Sequence, residues 1–212
     1  MLNIKSYNQA AYEAIKEKII SKEFEPGKIL NERQLSKDFG ISRTPIREAL
    51  MKLSFEGWII NEPYKPTHVR EFDLDSILEA QKVRSALEIL AVKEASKRIN
   101  EKDIKVLEDL LLEQQKVDDY NSLIKLDRSF HEYIYKLSNN FLLIGLMKNI
   151  NDIVRYFGLI AMKDPGRTEV VFKEHREIIE ALKKRDIEKS KKAMSRHMFM
   201  TEKSIIRRFE NK

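Results

Sequence analysis

Most of the 212-residue chain carries apolar residues at helical spacing, and one short stretch does not. The first helical pattern runs from Tyr7 to Ile20. Residues 57–60 and 67–70 instead form two short β-type runs on either side of a turn that contains prolines. From Asp73 onward, helical periodicity is almost continuous, and glycine and proline are scarce. The pattern predicts a mainly α protein with one small hairpin near the N-terminus.

Two short helices separated by a tight turn precede the hairpin. Asn31 can cap a helix that runs to about Phe39, and Gly40 can supply the left-handed residue that ends it. Ser42 can cap the next helix. That helix has one apolar face, formed by Ile46, Ala49, Leu50 and Leu53. Helix, turn, helix and hairpin together predict a winged helix-turn-helix.

The other face of this second helix is positive, because Arg43, Thr44 and Arg47 share it. Like charges one turn apart cost about 0.2 to 0.5 kcal/mol on an isolated helix, so a partner outside the chain is expected to offset them. Guanine N7 and O6 accept a bidentate guanidinium, and phosphates accept from arginine. Arg33, on the preceding helix, is expected near the duplex backbone. We interpret this face as a DNA-reading element; the alternative is a solvated basic face on an ordinary helical hairpin.

The remainder of the chain is predicted to be all helical. Chain breaks near residues 100, 118–121, 139–140, 164–166 and 185–186 divide it into about six helices. We therefore predict three segments, namely a DNA-binding domain at 1–70, a short linker at 71–75, and an all-helical domain for metal, effector and dimer contacts at 76–212.

Composition adds limits to this prediction. Forty basic and thirty-four acidic residues give a net charge of +6, a mild surplus that suits a regulator better than a packaging protein. The chain contains no cysteine, so disulfides and thiolate metal sites are excluded. We recognise neither a signal peptide nor a membrane span, and we expect a cytoplasmic protein without a membrane partner.

Three of the four histidines fall on core-facing stripes of three different predicted helices; they are His131, His175 and His197, and His68 in the hairpin is the exception. Asp127 lies one turn before His131, where an apolar residue is expected. A buried carboxylate needs a partner. If the helices bring them together, one carboxylate and three imidazoles form a ligand set for a divalent cation. Alternatively, each histidine is a structural core residue.

A buried arginine is predicted in the same domain. Arg84 lies on the inward stripe of a helix expected from Asp75 to Arg98, where an unpaired guanidinium is costly. It either pairs with Glu88, one turn on, or contacts a ligand, and both interpretations stay open. Arg155 and Tyr156 are weaker pocket candidates that rest on helix position alone.

The N-terminal motifs resemble a known family. They are Pro26-Gly27, Leu30, Glu32-Arg33-Gln34-Leu35-Ser36, Gly40-Ile41-Ser42-Arg43-Thr44-Pro45-Ile46-Arg47-Glu48-Ala49-Leu50 and Gly57-Trp58. This order resembles the DNA-binding domain of the GntR family of bacterial transcription regulators. The resemblance implies that Arg33, Arg43, Thr44 and Arg47 contact DNA. The wing departs from the family pattern, because residues 62–66 lack the glycine usual at its tip, which leaves minor-groove insertion open.

The C-terminal motifs are similar to the FCD effector-binding domain of the FadR branch of that family. They are Val83-Arg84-Ser85-Ala86-Leu87-Glu88, Asp127-Arg128-Ser129-Phe130-His131, Glu174-His175 and Met194-Ser195-Arg196-His197-Met198. The resemblance covers residues 73–212. It implies that Asp127, His131, His175 and His197 hold a metal and that Arg84 lies beside the ligand cavity. Asn140-Phe141 stands where many members have Asn-Pro, and the metal positions are not affected.

These observations predict a regulator and not an enzyme. In the leading interpretation it is a homodimeric repressor that binds a palindromic operator and responds to a small carboxylate beside a divalent metal, zinc or nickel first, with manganese or iron also compatible. One alternative is a metal-dependent hydrolytic enzyme fused to a DNA-binding domain, although hydrolase signatures and a general base paired with the four residues are not evident. The other is an effector-independent regulator with structural histidines.

Overall fold

The computed structural model of the protein describes residues 7–210, apart from the side chains of residues 149, 151, 154, 155 and 157–160. The chain forms two compact units, Met1–Asp73 and Leu74–Lys212. The described part of the first unit contains, in order, α1 (Tyr7–Ile20), α2 (Glu32–Phe39), α3 (Arg43–Phe55), β1 (Ile59–Ile60) and β2 (His68–Val69). These elements form the predicted winged helix-turn-helix.

The turn between α2 and α3 follows the predicted capping with one difference. The Asn31 side chain accepts hydrogen bonds from the first-turn amides of α2, and Gly40 ends the helix in the left-handed conformation at φ 64°. Ser42 occupies the N-cap position of α3, but its side chain accepts no capping hydrogen bond from the described backbone. The third residue of α3 is Pro45, which has no N–H to donate to the serine oxygen.

Helix α1 packs on α3 across an apolar core that includes Ile15, Ile46 and Leu53. One buried polar contact ties these two helices together. The Lys16 ammonium lies 2.8 Å from a Glu56 carboxylate oxygen at the end of α3, and the Tyr12 hydroxyl donates to the same carboxylate. Burial raises the pKa of Tyr12 to about 12, so the tyrosine remains a donor at neutral pH.

The wing is a short antiparallel hairpin, in which Ile59 pairs with Val69 and Ile60 with His68. At its tip, Tyr64 is fully exposed and has a left-handed φ of 64°. A residue with a Cβ in this conformation costs about 1 kcal/mol relative to glycine. The tip is therefore bulky and strained where the family pattern has glycine.

The second unit contains six helices among its described residues. They are α4 (Leu74–Ser96), α5 (Glu101–Gln114), α6 (Tyr120–Ser138), α7 (Phe141–Met162), α8 (Arg167–Lys183) and α9 (Ile187–Glu210). Helix α4 packs against α6, α7 and α9, and all six helices contribute to one apolar core. The mainly α fold class is thus confirmed. Among the helices described, we find no apolar stretch sufficient to span a lipid bilayer.

Candidate nucleic-acid interface and metal centre

The residues predicted to contact DNA lie on the exposed side of the helix-turn-helix. The side chains of Arg43 and Arg47 on α3 are each 59 % exposed. Thr44 is exposed beside them, and Arg33 is exposed on α2. The opposite face of α3 is buried. The fold therefore presents three of these side chains on the outward face of one helix and the fourth on the helix before it.

Neither α3 arginine is isolated, because both contact Glu32 in the first turn of α2. Arg47 donates through Nε to one oxygen of the carboxylate at 3.0 Å and through a terminal nitrogen to the other at 2.9 Å. Arg43 donates to the second oxygen at 3.2 Å. The hydrogen bond from Arg47 lowers the pKa of Glu32. Sequence spacing gave no sign of this contact.

The four predicted metal ligands converge from three helices. Asp127 and His131 lie on α6, His175 on α8 and His197 on α9. One candidate ligand atom from each residue can be chosen such that all four lie within 4.8 Å of one another. The three histidines are buried, and the side chain of Asp127 is 15 % exposed. The i, i+4 spacing of Asp127 and His131 places both on one side of α6.

Each imidazole is held in one orientation by an acceptor on its Nδ1. These contacts join His131 to Glu88 at 3.0 Å, His175 to Gln114 Oε1 at 3.2 Å, and His197 to Glu174 at 2.8 Å. Because all three partners are oxygen acceptors, each Nδ1 carries a hydrogen. In the neutral form of each imidazole, the lone pair is therefore on Nε2.

The Nε2 atoms face other acceptors. Nε2 of His131 and Nε2 of His197 are 3.2 Å apart, and Nε2 of His175 lies 3.5 Å from Asp127 Oδ1. Asp127 Oδ1 and His175 Nε2 are buried and have no hydrogen-bond partner among the described residues. An unsatisfied buried polar atom costs about 1 to 3 kcal/mol. A divalent cation would satisfy all four atoms at once, and one oxygen with three imidazole nitrogens is a donor set that such ions accept.

The electrostatics of the cluster agree with this donor role. Burial lowers the pKa of His175 and of His197 well below the usual 6.5, and His131, Arg167 and Arg84 lower both pKa values further. Both rings are consequently neutral at physiological pH. Neutral imidazole is the form that binds a metal ion.

Two family models match the chain, one within each structural unit. The model for bacterial regulatory proteins of the gntR family matches residues 7–69, and the FCD domain model matches residues 79–199, which is more than half of the chain. This chain belongs to the GntR family. The N-terminal unit of this GntR regulator contains the DNA-binding domain, and its C-terminal unit contains an FCD domain. Members are transcription regulators, which confirms the predicted class.

Curated relatives agree with the assignment, and solved structures share the fold. The HTH-type transcriptional regulator YdhC of Bacillus subtilis (strain 168) is 31% identical over 190 residues, covering 88% of this chain and 85% of its own. The HTH-type transcriptional repressor RspR of Escherichia coli (strain K12) is 28% identical over 207 residues, covering 93% and 88%. The solved structure of E. coli McbR/YncC is 22% identical, with a TM-score of 0.76 over 97% of this chain and 98% of that one. A solved metal-free FCD domain is 20% identical and matches with a TM-score of 0.58, over 67% and 99%.

In this GntR regulator, two arginine–glutamate pairs lie behind the histidines. Arg84 Nε contacts Glu88 at 3.3 Å, so the structure contains the ion pair that was one of the two interpretations of Arg84. Glu88 is completely buried and also accepts from the Tyr135 hydroxyl. On the other side, Arg167 lies 2.8 Å from Glu174. The Arg155 side chain lies outside the described residues.

Sequence reasoning missed the residues that orient the rings. Gln114 and Glu174 had no predicted role, and Glu88 was expected to pair only with Arg84. Local signals existed, because Gln114 continues the buried α5 stripe of Leu107 and Leu111. A polar residue on an apolar stripe is the same signal that singled out Asp127.

Metal-free protein is expected to lose stability as the pH falls below about 6.5. Unfolding allows His175 and His197 to bind protons that the folded state excludes, so the unfolded state binds more protons. The free energy of unfolding should then fall by up to about 1.4 kcal/mol per pH unit for each histidine. Urea denaturation in the presence of a chelator at about pH 7.5 and about pH 5.5 measures this loss. A His175→Gln protein should show a smaller dependence; an equal dependence would exclude His175 as a source.

Proposed function

We propose that this protein is a homodimeric repressor that binds a palindromic operator through α3 and responds to a small carboxylate held beside a divalent metal. The observation that carries the effector part is the cluster of three inward-facing Nε2 atoms and one carboxylate oxygen. Acceptors that face one another without donors are costly unless a cation lies among them. The DNA part rests on family membership and on the exposed arginines of α3.

The metal would be held by Asp127, His131, His175 and His197. Imidazole-rich sets suit zinc, nickel and iron, and the carboxylate also permits manganese. Glu88, Gln114 and Glu174 would fix the ring orientations, and outer partners of this kind typically change metal affinity by about 10- to 100-fold. When bound, the metal would supply positive charge for an anionic ligand.

The charges around the site favour a carboxylate ligand. Arg84 and Arg167 are buried near it, and Glu88 and Glu174 balance them. Asp127 contributes one negative charge and a divalent cation contributes two positive charges, so the loaded site is positive. A guanidinium and a metal ion can share one small anion, since arginine binds carboxylates by charge-assisted hydrogen bonds. Arg84 is the residue that we assign to this contact.

Dimerisation is supported by apolar side chains left exposed on two adjacent helices. Val83 and Leu90 on α4, and Leu142 and Leu146 on α7, are each between 37% and 64% exposed. Exposed apolar side chains on two helices that pack together are a feature of protein interaction sites. A two-fold dimer would bury the same patch on both copies and would present two recognition helices to a palindrome.

A panel of di- and tricarboxylates and hydroxy acids tests the effector part. An active compound is expected to change the operator affinity of metal-loaded protein by about 5- to 150-fold, because allosteric couplings typically amount to about 1 to 3 kcal/mol. The Arg84→Ala protein should need a higher concentration of the compound for the same change in operator affinity. Fluorescence anisotropy of labelled operator provides the measurement.

The matched control is Arg196→Ala, which removes an exposed arginine that pairs with Glu177. This protein should respond like the wild type. A compound that acts equally well on metal-free protein would contradict the mechanism. If no compound acts and the protein contains no stoichiometric metal, the effector-independent alternative with structural histidines is favoured instead.

A further inference from the structure

The two arginines proposed to read DNA are joined by one carboxylate before any DNA is present. Glu32 accepts two hydrogen bonds from Arg47 and one from Arg43. The contact with Arg47 uses Nε and a terminal nitrogen, the same kind of donor pair that can engage guanine O6 and N7. Glu32 therefore competes with DNA for these donors.

This contact lies at the protein surface and can exchange. The Glu32 side chain is 29% exposed, and both guanidinium groups are more exposed than it is. Surface ion pairs contribute little to stability, typically about 0 to 1 kcal/mol, so replacing the carboxylate with nucleic acid is not prohibitive. The hydrogen bond from Arg47 lowers the pKa of Glu32, and the carboxylate is thus ionised at neutral pH.

The carboxylate has opposite consequences for two kinds of duplex. Binding to any sequence depends on positive charge facing phosphates, and Glu32 removes one unit of that charge from the α3 face. Binding to an operator depends in addition on the orientation of each guanidinium, and Glu32 holds the Arg47 group in one orientation. An ordered side chain loses less entropy when it forms a directional contact.

We propose that Glu32 is a specificity-determining residue that weakens binding to non-operator DNA and orients Arg47 for base contacts. This inference rests on the proposed DNA-reading role of α3. Loss of the negative charge should strengthen binding to DNA of any sequence. At the operator this increase in affinity should be smaller, because Arg47 is then no longer oriented for its base contacts. The ratio of operator to non-operator affinity is what Glu32 raises.

The test compares Glu32→Gln with Asp38→Asn. Both changes remove one negative charge from α2, but Asp38 accepts from Gln34 and has no described contact with either arginine. Duplexes with a random central segment are selected on wild-type protein, and the enriched sequence and a scrambled version then serve as probes. Anisotropy titrations at several salt concentrations give both affinities for each protein, and thermal melting confirms that each variant is folded.

Glu32→Gln is expected to lower the operator to non-operator ratio by about tenfold, on the scale of one bidentate contact. For the scrambled duplex, the affinity of Glu32→Gln should also fall more steeply with salt concentration than that of the wild type. The difference should correspond to about one more counterion released on binding. Asp38→Asn should leave the ratio near the wild-type value. An unchanged ratio in Glu32→Gln, or an equal fall in Asp38→Asn, overturns this inference while the DNA-reading role of α3 stands. Failure of the wild type to enrich any palindrome overturns the proposed operator mode and this inference with it.

Discussion

Alanine at Arg43 or at Arg47 is expected to weaken operator binding by about 1 to 3 kcal/mol, or roughly 5- to 150-fold for each residue. Each change removes guanidinium donors from the exposed face of α3, and the apolar face that packs in the unit is left intact. Helical content by circular dichroism should therefore remain that of the wild type. Gel shift or anisotropy with the selected duplex measures the loss.

Arg196→Ala is again the matched control, because it removes one exposed arginine from the other unit. Its operator affinity should match that of the wild type. The recognition-helix assignment is wrong if protein with both Arg43 and Arg47 replaced shifts operator DNA as well as the wild type does.

Removal of the metal is expected to lower the melting temperature by roughly 10 °C. A ligand present at about 1,000 times its dissociation constant stabilises the folded state by about 4 kcal/mol, and about 1 kcal/mol corresponds to 2 to 4 °C in a chain of this size. The physical reason is that chelation leaves Asp127 Oδ1 and the three Nε2 atoms facing one another. Zinc or nickel should restore the transition. Differential scanning calorimetry measures the melting temperature, and elemental analysis measures the metal content.

The Asp127→Ala protein should bind metal more weakly, and zinc should raise its melting temperature by less than it raises that of the wild type. Asp109→Ala is a suitable control, because it removes an exposed aspartate that pairs with Lys105 on the same helix. Full metal content with unchanged affinity in Asp127→Ala would count against the site.

The elements of the fold could be predicted because their determinants are local. Asn31 begins α2 and Gly40 ends it through contacts within a few residues, and α1 ends at Ile20, where the apolar pattern ends. Ser42 occupies the predicted N-cap position, but its side chain makes no capping hydrogen bond, because such a bond depends on its donor as well as on its acceptor and Pro45 has no N–H. The position of Pro45, three residues after Ser42, is also local information, although the preference of serine for N-cap positions does not take it into account.

The candidate site could be predicted only in part, for a related reason. Asp127 and His131 are recognisable from i, i+4 spacing, and the other two histidines from apolar stripes. The contact of Gln114 with His175 joins residues 61 apart, and that of Glu32 with Arg47 joins residues 15 apart on two helices. Such contacts depend on how helices pack, and periodicity within one helix contains no information on packing.

The single tryptophan of the chain gives one unit an optical signal of its own. Trp58 is 2% exposed and meets the Phe72 ring edge-on, with the centroids 5.7 Å apart, inside the N-terminal unit. Emission excited selectively from tryptophan therefore comes from the DNA-binding unit alone, whereas far-ultraviolet circular dichroism sums the helices of both units. When chelated protein is heated, coincident loss of both signals would mean that the two units unfold cooperatively. A dichroism transition that precedes the change in emission, and that moves to higher temperature with zinc while the emission change does not, would mean that the metal stabilises only the C-terminal unit.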